Sequence, residues 1–494
     1  MEETETWLAE AVREGDCLLF KGSNSMGLSK AVSFMREKLT IKMIIWRKKH
    51  MELTKETCRQ TAEELLHFLE KSPSSFHAIA NITNMLEAAG FEEIREEENW
   101  KLLPGGSYYV TRNQSSVIAF KVPGADFTGF QIMASHSDSP SFKIKENPEM
   151  EAEGHFIKLN VEKYGGMIMS PWFDRPLSIA GRLVVEEDGR LVSKLVNIDR
   201  DLVMIPNLAI HMNRQVNDGY KYNAQKDTLP IFGSLEAKGS FMTLMAEAAG
   251  VKAEDILGHD LFLYSRDKGT IWGADEAYLS CGRLDDLQCA FSSIKGLLAG
   301  GHPSCVSVAA VFDNEEVGSG TKQGADSTFL EDTLRRINRS LGRSEDQYLM
   351  ALASSFMVSA DNAHAVHPNY GEFADPTNRP AMNEGIVIKY NANQKYTTDA
   401  VSAAIFRAIC KKAGVPCQTF ANRSDMAGGS TLGNISNAHV ALNTVDIGLP
   451  QLAMHSPYET AGVKDTCYLI QAAKTFFNTC LKAEGKGCYR VDQE

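Results

Sequence analysis

The chain has 494 residues, enough for about two or three domains and a large hydrophobic core. Its hydrophobic content of 43% and charged content of 23% are typical of a globular protein, and its net charge of −12 argues against nucleic acid as a partner. Ten cysteines without a Cys-x-x-Cys pair indicate reduced thiols and a cytoplasmic location, and no apolar run is long enough to span a membrane.

Residues 1–50 differ in character from the rest of the chain. Their stretch GDCLLFKGSNSM resembles the C-terminal end of a Mur ligase, the D-alanyl-D-alanine-adding enzyme. The ATP-binding pattern G-x-x-x-x-G-K-[ST] of such ligases is absent. We therefore predict that residues 1–50 are a remnant without chemistry and that Met51 is the ancestral start. The alternative is an ordinary N-terminal appendage.

From Met51 onward the pattern becomes regular. Apolar residues at helical spacing predict two helices between residues 55 and 89, and apolar runs predict strands at 107–111, 116–122 and 130–135. The last of these strands is followed by His136 and Asp138. A histidine with an aspartate two residues later can be a metal ligand and its orienting carboxylate.

Residues 140–272 lack the alternation of strands and helices that flanks them. Strands are predicted at 155–162, 178–186 and 191–197, with a tight turn at Glu187-Asp188-Gly189. We interpret this stretch as an inserted, mainly β domain. It also carries His211, within an apolar run that would suit a buried, hydrogen-bonded histidine.

The α/β pattern resumes at residue 273. Asp285 opens an amphipathic helix, where it is either a ligand or simply a helix cap. A buried strand over 306–312 then ends in a group of acidic residues that includes Glu315 and Glu316. Adjacent carboxylates at the carboxyl end of an apolar strand suit a metal site with one carboxylate left as a general base. The alternative is a solvated turn.

The remaining candidates also follow strands. Asp361 comes after the apolar run 351–360, and His455 lies in the loop before the last helix. Together with the earlier residues, they make two imidazoles and four carboxylates, a set that suits two divalent ions. A two-metal hydrolase needs a bridging carboxylate, terminal ligands and a free carboxylate that deprotonates the bridging water.

The motifs ASHSDSP, GRLDD, DNEEVGS, SADNAHAVHPNY, VIKYNANQKY, SDMAGGSTLG and MHS occur in the order found in the M18 metallo-aminopeptidases, the aspartyl aminopeptidase family. This resemblance covers residues 55–485. It implies an α/β fold, with a dinuclear zinc-peptidase-like α/β/α domain over 51–139 and 273–494. The insertion, 140–272, would be a dimerisation domain, and the family resemblance implies dimers that assemble into a dodecamer.

The resemblance also assigns the metal ligands. His136 and Asp361 would bind one ion, and Glu316 and His455 would bind the other. Asp285 would bridge both ions. The ions implied are zinc, although cobalt and manganese also suit these ligands.

The other roles follow from the same motifs. Glu315 would be the general base, and Asp138 would orient His136. His364, Lys389 and Tyr396 match substrate-contacting positions, and His211 matches a histidine supplied to a neighbouring subunit's site. The alternatives without a functional role are a solvated charge at a strand end for Lys389 and a capping aromatic residue for Tyr396.

The sequence thus predicts a metal-dependent aminopeptidase that removes N-terminal residues from peptides with a metal-bridging water. The resemblance suggests a preference for acidic residues, Asp or Glu, with Lys389 as the nearest counter-charge. Two alternatives remain open: broad or neutral specificity, and a non-catalytic family member kept for assembly or cargo binding. The intact Glu315 and full ligand set argue against the second.

Overall fold

The computed structural model describes residues 53–493. The chain divides into two units, Met1–Thr57 and Cys58–Glu494, and the description below concerns the second. The ligase-like segment predicted at residues 1–50 lies outside the described residues. Within the described range, no helix combines the length and the apolar character that crossing a bilayer requires.

The elements are numbered in chain order. The first half of the described chain contains α1 Lys55–Glu70, α2 Ser75–Ala88, β1 Glu92–Glu93, β2 Ser107–Arg112, β3 Ser116–Lys121, β4 Gly129–His136, β5 Ser141–Ala152, β6 Phe156–Tyr164, β7 Leu177–Glu187, β8 Arg190–Asn197, β9 Ile231–Ser234, α3 Phe241–Ala249, β10 Ile256–Ser265, β11 Thr270–Trp272 and β12 Tyr278–Cys281. The second half contains α4 Leu284–Ala299, β13 Cys305–Phe312, α5 Phe329–Ser340, α6 Glu345–Ala353, β14 Phe356–Ala360, β15 Ala363–His364, β16 Ile386–Tyr390, α7 Ala400–Ala413, β17 Cys417–Ala421, α8 Leu432–Ser436, β18 Asn443–Gly448, β19 Pro450–Leu452, β20 Glu459–Gly462, α9 Asp465–Phe477, β21 Thr479–Gly485 and β22 Cys488–Gln493.

A nine-stranded mixed sheet carries most of the predicted site. Its strand order is β1-β2-β3-β13-β4-β14-β18-β16-β17, and the central strands β13, β4, β14 and β18 are parallel to one another. These central strands are almost wholly buried, which explains their continuous apolar sequences. The predicted α/β class is confirmed.

Helices cover this sheet. Side chains from α5, α6 and α8, including Phe329, Tyr348 and Leu432, join the core of β2, β3, β4 and β13. Helices α4 and α9 pack against each other and against β4. Gly296 permits this close approach, because a Cβ there would lie 2.4 Å from the Cβ of Ala473.

A separate six-stranded antiparallel sheet, ordered β8-β7-β10-β5-β6-β9, spans residues 141–265. It has its own core, to which α3 contributes. Asp188 and Gly189 turn β7 into β8 with positive φ angles of 50° and 72°. The sheet falls inside the stretch predicted as an inserted domain. Strand β11 also lies inside that stretch, but it pairs with β12 and belongs to a different sheet. The domain boundaries themselves stay predictions.

Two smaller sheets complete the fold, a five-stranded one ordered β11-β12-β20-β19-β15 and the hairpin β21-β22. Cys305 at the start of β13 and Cys480 on β21 form a disulfide, with Cα atoms 5.9 Å apart. The expectation that all the cysteines are reduced is therefore wrong at this pair, which the fold brings together across 175 residues of sequence. The other described cysteines are free.

Candidate active site

Three parallel strands deliver four of the predicted residues to one edge of the large sheet. His136 is the last residue of β4, and Asp361 directly follows β14. Glu315 and Glu316 lie in a short 3-10 helix, Glu315–Val317, just after β13. Because β13, β4 and β14 run in parallel, their carboxyl ends share this edge, where open α/β sheets place their ligands.

The five-stranded sheet supplies the other two ligands. Asp285 follows β12 and His455 precedes β20, and these two strands pair antiparallel with Cys281 opposite Glu459. This pairing brings together segments that are far apart in sequence. His455 has a positive φ of 68°, a backbone conformation that non-glycine residues seldom adopt outside constrained sites.

Asp285 lies between the two imidazoles. Its Oδ1 is 3.5 Å from His136 Nε2, and its Oδ2 is 3.4 Å from His455 Nε2. Glu316 Oε2 is also 3.4 Å from His455 Nε2, and Asp361 Oδ1 is 4.0 Å from His136 Nε2. The six predicted metal and base residues therefore converge on one place.

The ligand atoms form overlapping groups in which all members lie within 4.8 Å of one another. The groups at the predicted site are His136, Asp285, Asp286 and Asp361; His136, Glu315 and Glu316; and Asp285, Glu316 and His455. A further group, His302, Cys305 and Cys480, contains the disulfide. Asp285 is thus shared between a group with Asp361 and a group with His455.

The donor set fits divalent cations. Asp285 Oδ1 and Glu316 Oε1 are buried and accept no hydrogen bond from the described residues. Burial raises the pKa of Glu316 well above its usual value, and the nearby Asp285 raises it further. Burial opposes the charged form of His136, but Asp138 and Asp285 outweigh it and raise the pKa of that imidazole. Such crowding of buried carboxylates favours binding of positive charge.

Glu315 differs from its neighbour. Burial raises its pKa to about 8, with the carboxylates of Asp361 and Asp138 adding to the shift. No hydrogen bond or ion pair holds its carboxylate among the described residues, whereas Glu316 contacts His455. A carboxylate with a pKa near neutrality and no fixed partner suits a general base.

Asp138 is more extensively bonded than predicted. Its Oδ1 lies 3.4 Å from His136 Nδ1, close to the orienting role expected from sequence. Its two oxygens also accept hydrogen bonds from the backbone N–H groups of Glu315 and Glu316, at 3.1 and 3.2 Å. Tyr164 donates a further hydrogen bond of 2.7 Å to the same carboxylate.

Sequence reasoning missed three supporting residues. Asp286 Oδ2 accepts a hydrogen bond from the backbone N–H of His136 at 3.1 Å. Tyr164 contacts Asp138, and the buried Glu459 contacts the backbone of two proposed ligands. The only signal for Glu459 was its place four residues after His455, in the motif MHSPYET.

The predicted substrate contacts differ in exposure. Lys389 is 4% exposed, so the solvated-charge alternative is wrong; its Nζ donates to the backbone oxygen of Asn362 at 2.8 Å and lies 3.5 Å from Asp361 Oδ2. Tyr396 is buried against Phe420 and lies under the Lys389 ammonium, which is 5.6 Å from its ring centre. His364 is exposed.

His211 lies in an exposed turn of the six-stranded-sheet region. The alternative of a buried histidine is therefore wrong. Within the described chain, no hydrogen bond or ion pair joins His211 to the other predicted site residues. Its neighbours Leu208, Ile210 and Met212 are also exposed, although they are apolar.

Comparisons with known proteins identify the family and support the fold. The family profile described as "Aminopeptidase I zinc metalloprotease (M18)" matches residues 68–477. The chain is 50% identical over 426 residues to a "Probable M18 family aminopeptidase 2" of Clostridium acetobutylicum, covering 84% of this chain and 98% of that one. It is similar to the structure "Cryo-EM structure of the Ape4 and Nbr1 complex", with a TM-score of 0.83, 37% identity, and coverage of 85% and 86% of the two chains. It is also similar to the S. cerevisiae "mApe1 dodecamer", with a TM-score of 0.75, 27% identity, and coverage of 85% and 96%.

Proposed function

This chain belongs to the M18 family of zinc metallo-aminopeptidases, and from that premise we propose that it uses two divalent ions to remove acidic residues from the N-termini of peptides. His136 and Asp361 would hold one ion, Glu316 and His455 would hold the other, and Asp285 would be shared between them. Zinc is the ion we propose, and cobalt and manganese suit the same ligands.

One observation carries the proposal of two ions. The carboxylate of Asp285 presents one oxygen to His136 and the other to His455, at 3.5 and 3.4 Å. Each imidazole also has a second carboxylate nearby, Asp361 for His136 and Glu316 for His455. Two ligand pairs joined by one carboxylate are what a dinuclear site requires.

The mechanism follows from the residues around this centre. When bound, the ions polarise the scissile carbonyl and lower the pKa of water. Glu315 accepts a proton from the attacking water and later transfers it to the leaving amine. The Asp138 carboxylate accepts a hydrogen bond from the backbone N–H of Glu315. This bond keeps the Glu315 side chain at the carboxyl end of β13. His211 from a neighbouring subunit donates a hydrogen bond to the developing oxyanion.

The acidic preference rests on Lys389, the nearest cation at the site. Its ammonium has three donors, and Asn362 and Asp361 occupy two of them. The third donor would meet the side-chain carboxylate of an N-terminal Asp or Glu, next to Tyr396 and the exposed His364. The burial of Lys389 favours the second candidate, a peptidase of broad or neutral specificity, because an ammonium whose charge is already balanced by Asp361 attracts a substrate carboxylate only weakly.

We also propose an assembly and a location. The relative mApe1 is a dodecamer, and the exposed apolar residues around His211 suit a contact between subunits. Pairing through the domain at residues 140–272 would make dimers that assemble further. Seven free cysteines among the described residues favour a reducing compartment, the cytoplasm.

A substrate panel with defined metals tests the function. Purified protein is stripped with a chelator, and each of Zn²⁺, Co²⁺ and Mn²⁺ is restored in turn. Hydrolysis of Asp, Glu, Ala, Leu and Lys p-nitroanilides is then measured, with an N-acetylated Asp substrate as the control for exopeptidase action. We expect activity to need metal and a free amine, and kcat/KM to be higher for Asp and Glu.

The role of Lys389 is tested in the same panel. Lys389→Met should remove the preference for acidic residues, and Lys395→Met, an exposed lysine of the following loop, should keep it. Equal kcat/KM for acidic and neutral substrates in the wild type would establish the broad alternative. Activity that survives complete removal of metal would overturn the metal-dependent mechanism.

A further inference from the structure

Glu459 holds two proposed metal ligands by their backbones. It is the first residue of β20 and is 1% exposed. Its Oε1 accepts a hydrogen bond from the backbone N–H of His455 at 2.8 Å, and its Oε2 accepts one from the backbone N–H of Asp285 at 3.1 Å. The hydrogen bond between Glu459 and Asp285 spans 174 residues of sequence, so one carboxylate joins two distant segments of the chain.

The sheet explains why this residue reaches both segments. Cys281, at the end of β12, lies opposite Glu459 in the antiparallel pair β12-β20. The chain leaves β12 toward Asp285 and enters β20 from His455. Glu459 therefore faces the two backbone N–H groups, which are not part of the strand ladder and need an acceptor when buried.

We infer that Glu459 is a positioning residue that fixes the backbones of Asp285 and His455 so that their side chains face the same ion. This inference rests on the proposed dinuclear function. The distance of 3.4 Å between Asp285 Oδ2 and His455 Nε2 depends on both backbones at once. Asp138 plays a comparable part on the other side of the site, where it accepts the N–H groups of Glu315 and Glu316.

The substitution Glu459→Gln tests this role with little change in shape. A glutamine keeps one acceptor oxygen, but its NH₂ group faces a backbone N–H that also donates. One of the two N–H groups then loses its partner, and the segment that carries it is free to shift. We expect the affinity for the ion between Glu316 and His455 to fall about 10- to 100-fold, as changes to groups that orient metal ligands commonly do.

Asp465 provides a matched control. It is fully buried at the start of α9, and its carboxylate also accepts two backbone N–H groups, those of Asn383 and Gly385, at 2.7 and 3.2 Å. It makes no contact with the proposed ligands among the described residues. Asp465→Asn should therefore lower Tm without changing the affinity for metal.

The experiment follows metal binding directly. Metal-free wild type, Glu459→Gln and Asp465→Asn are titrated with Co²⁺, and the visible absorption, the stoichiometry by elemental analysis and Tm are recorded. Wild type and Asp465→Asn should each bind two ions with the same spectrum. Glu459→Gln should bind the second ion more weakly and show a changed Co²⁺ spectrum, with kcat partly restored by excess metal.

Three outcomes separate the inference from the function on which it rests. If wild type binds two ions and Glu459→Gln binds them with the same affinity and spectrum, the positioning role is wrong and the proposed function stands. The same holds if both variants lose affinity equally, because a general loss of stability then explains the change. If the wild type itself binds no ion, the proposed dinuclear function fails, and the role of Glu459 fails with it.

Discussion

Glu315 and Glu316 are adjacent residues of one type that the structure places in different surroundings. Glu316 faces His455 and Asp285, and one of its oxygens is buried without a hydrogen bond. The Glu315 side chain makes no hydrogen bond or ion pair among the described residues, although its backbone is held by Asp138. Because successive side chains point in different directions, the segment after one strand can supply both a proposed ligand and a proposed base.

The pair Glu315→Gln and Glu316→Gln tests this division. Glu315→Gln should keep both ions and lose about 10²- to 10⁴-fold in kcat, since it removes a general base. Glu316→Gln should lose one ion per subunit. Elemental analysis of the purified variants decides between the roles. Loss of metal in the first variant with full retention in the second would show that the two assignments are reversed.

At the scale of elements, helix α2 begins with a serine cap that contacts a histidine of its first turn. Ser74 caps α2: its hydroxyl lies 2.8 Å from His77 Nδ1 and accepts from the backbone N–H of His77. Burial, together with a smaller contribution from the Arg283 guanidinium, lowers the pKa of His77 from an ordinary value of 6.5 to about 4. The folded protein therefore favours the neutral form of the His77 imidazole.

This predicts a loss of stability in acid. The unfolded chain protonates His77 near pH 6.5 and the folded chain near pH 4, so the stabilisation is complete above pH 6.5 and is lost progressively as the pH falls to 4. The loss can reach about 3 kcal/mol. His77→Gln should therefore show a smaller fall in Tm between pH 7 and pH 4.5 than the wild type does.

The control is His67→Gln, which changes an exposed histidine of α1. Its Tm should follow the wild type across the same pH range. An identical pH dependence of Tm for His77→Gln and the wild type would show that His77 does not contribute to acid unfolding.

At the scale of the whole molecule, the six-stranded sheet region exposes an apolar turn that the rest of residues 53–493 leaves uncovered. Leu208, Ile210 and Met212 are 56%, 48% and 76% exposed, and His211 lies among them. Apolar side chains gathered at one turn suit a contact between subunits. Isologous pairing of two such regions would place each His211 near the site of the other subunit.

Complementation between inactive subunits tests this arrangement. Glu315→Gln and His211→Ala should each be inactive alone. After subunit exchange at equal amounts, half of the dimers are mixed, and in each of these one site has both an intact Glu315 and the partner's intact His211. Activity should then return to roughly a quarter of the wild-type value.

The exchange must be verified by tagging one variant and isolating mixed dimers. If such dimers are folded, loaded with metal and still inactive, His211 does not act in the site of its partner. A His211→Ala variant that is fully active alone would remove its catalytic role altogether.

The order of motifs determined the family and predicted the ligand set. Each of the six residues could be chosen because it follows an apolar strand, opens a helix or lies in a loop before a helix, within a short, recognisable motif: His136, Asp285, Glu315, Glu316, Asp361 and His455. The strands at residues 107–135 and the turn at Asp188-Gly189 were also predictable from local patterns. By contrast, β5 was missed, since its alternation is interrupted by a register shift between Ile144 and Glu149.

Only the tertiary structure decided the contacts that cross long stretches of sequence. The hold of Glu459 on Asp285 and His455, the pairing of Lys389 with Asp361 and the Cys305–Cys480 disulfide all depend on strand pairing between distant segments. A residue's type and neighbours in sequence indicate what chemistry it can perform. They do not indicate which distant backbone or charge it meets, because burial and hydrogen-bond partners are set by packing in three dimensions.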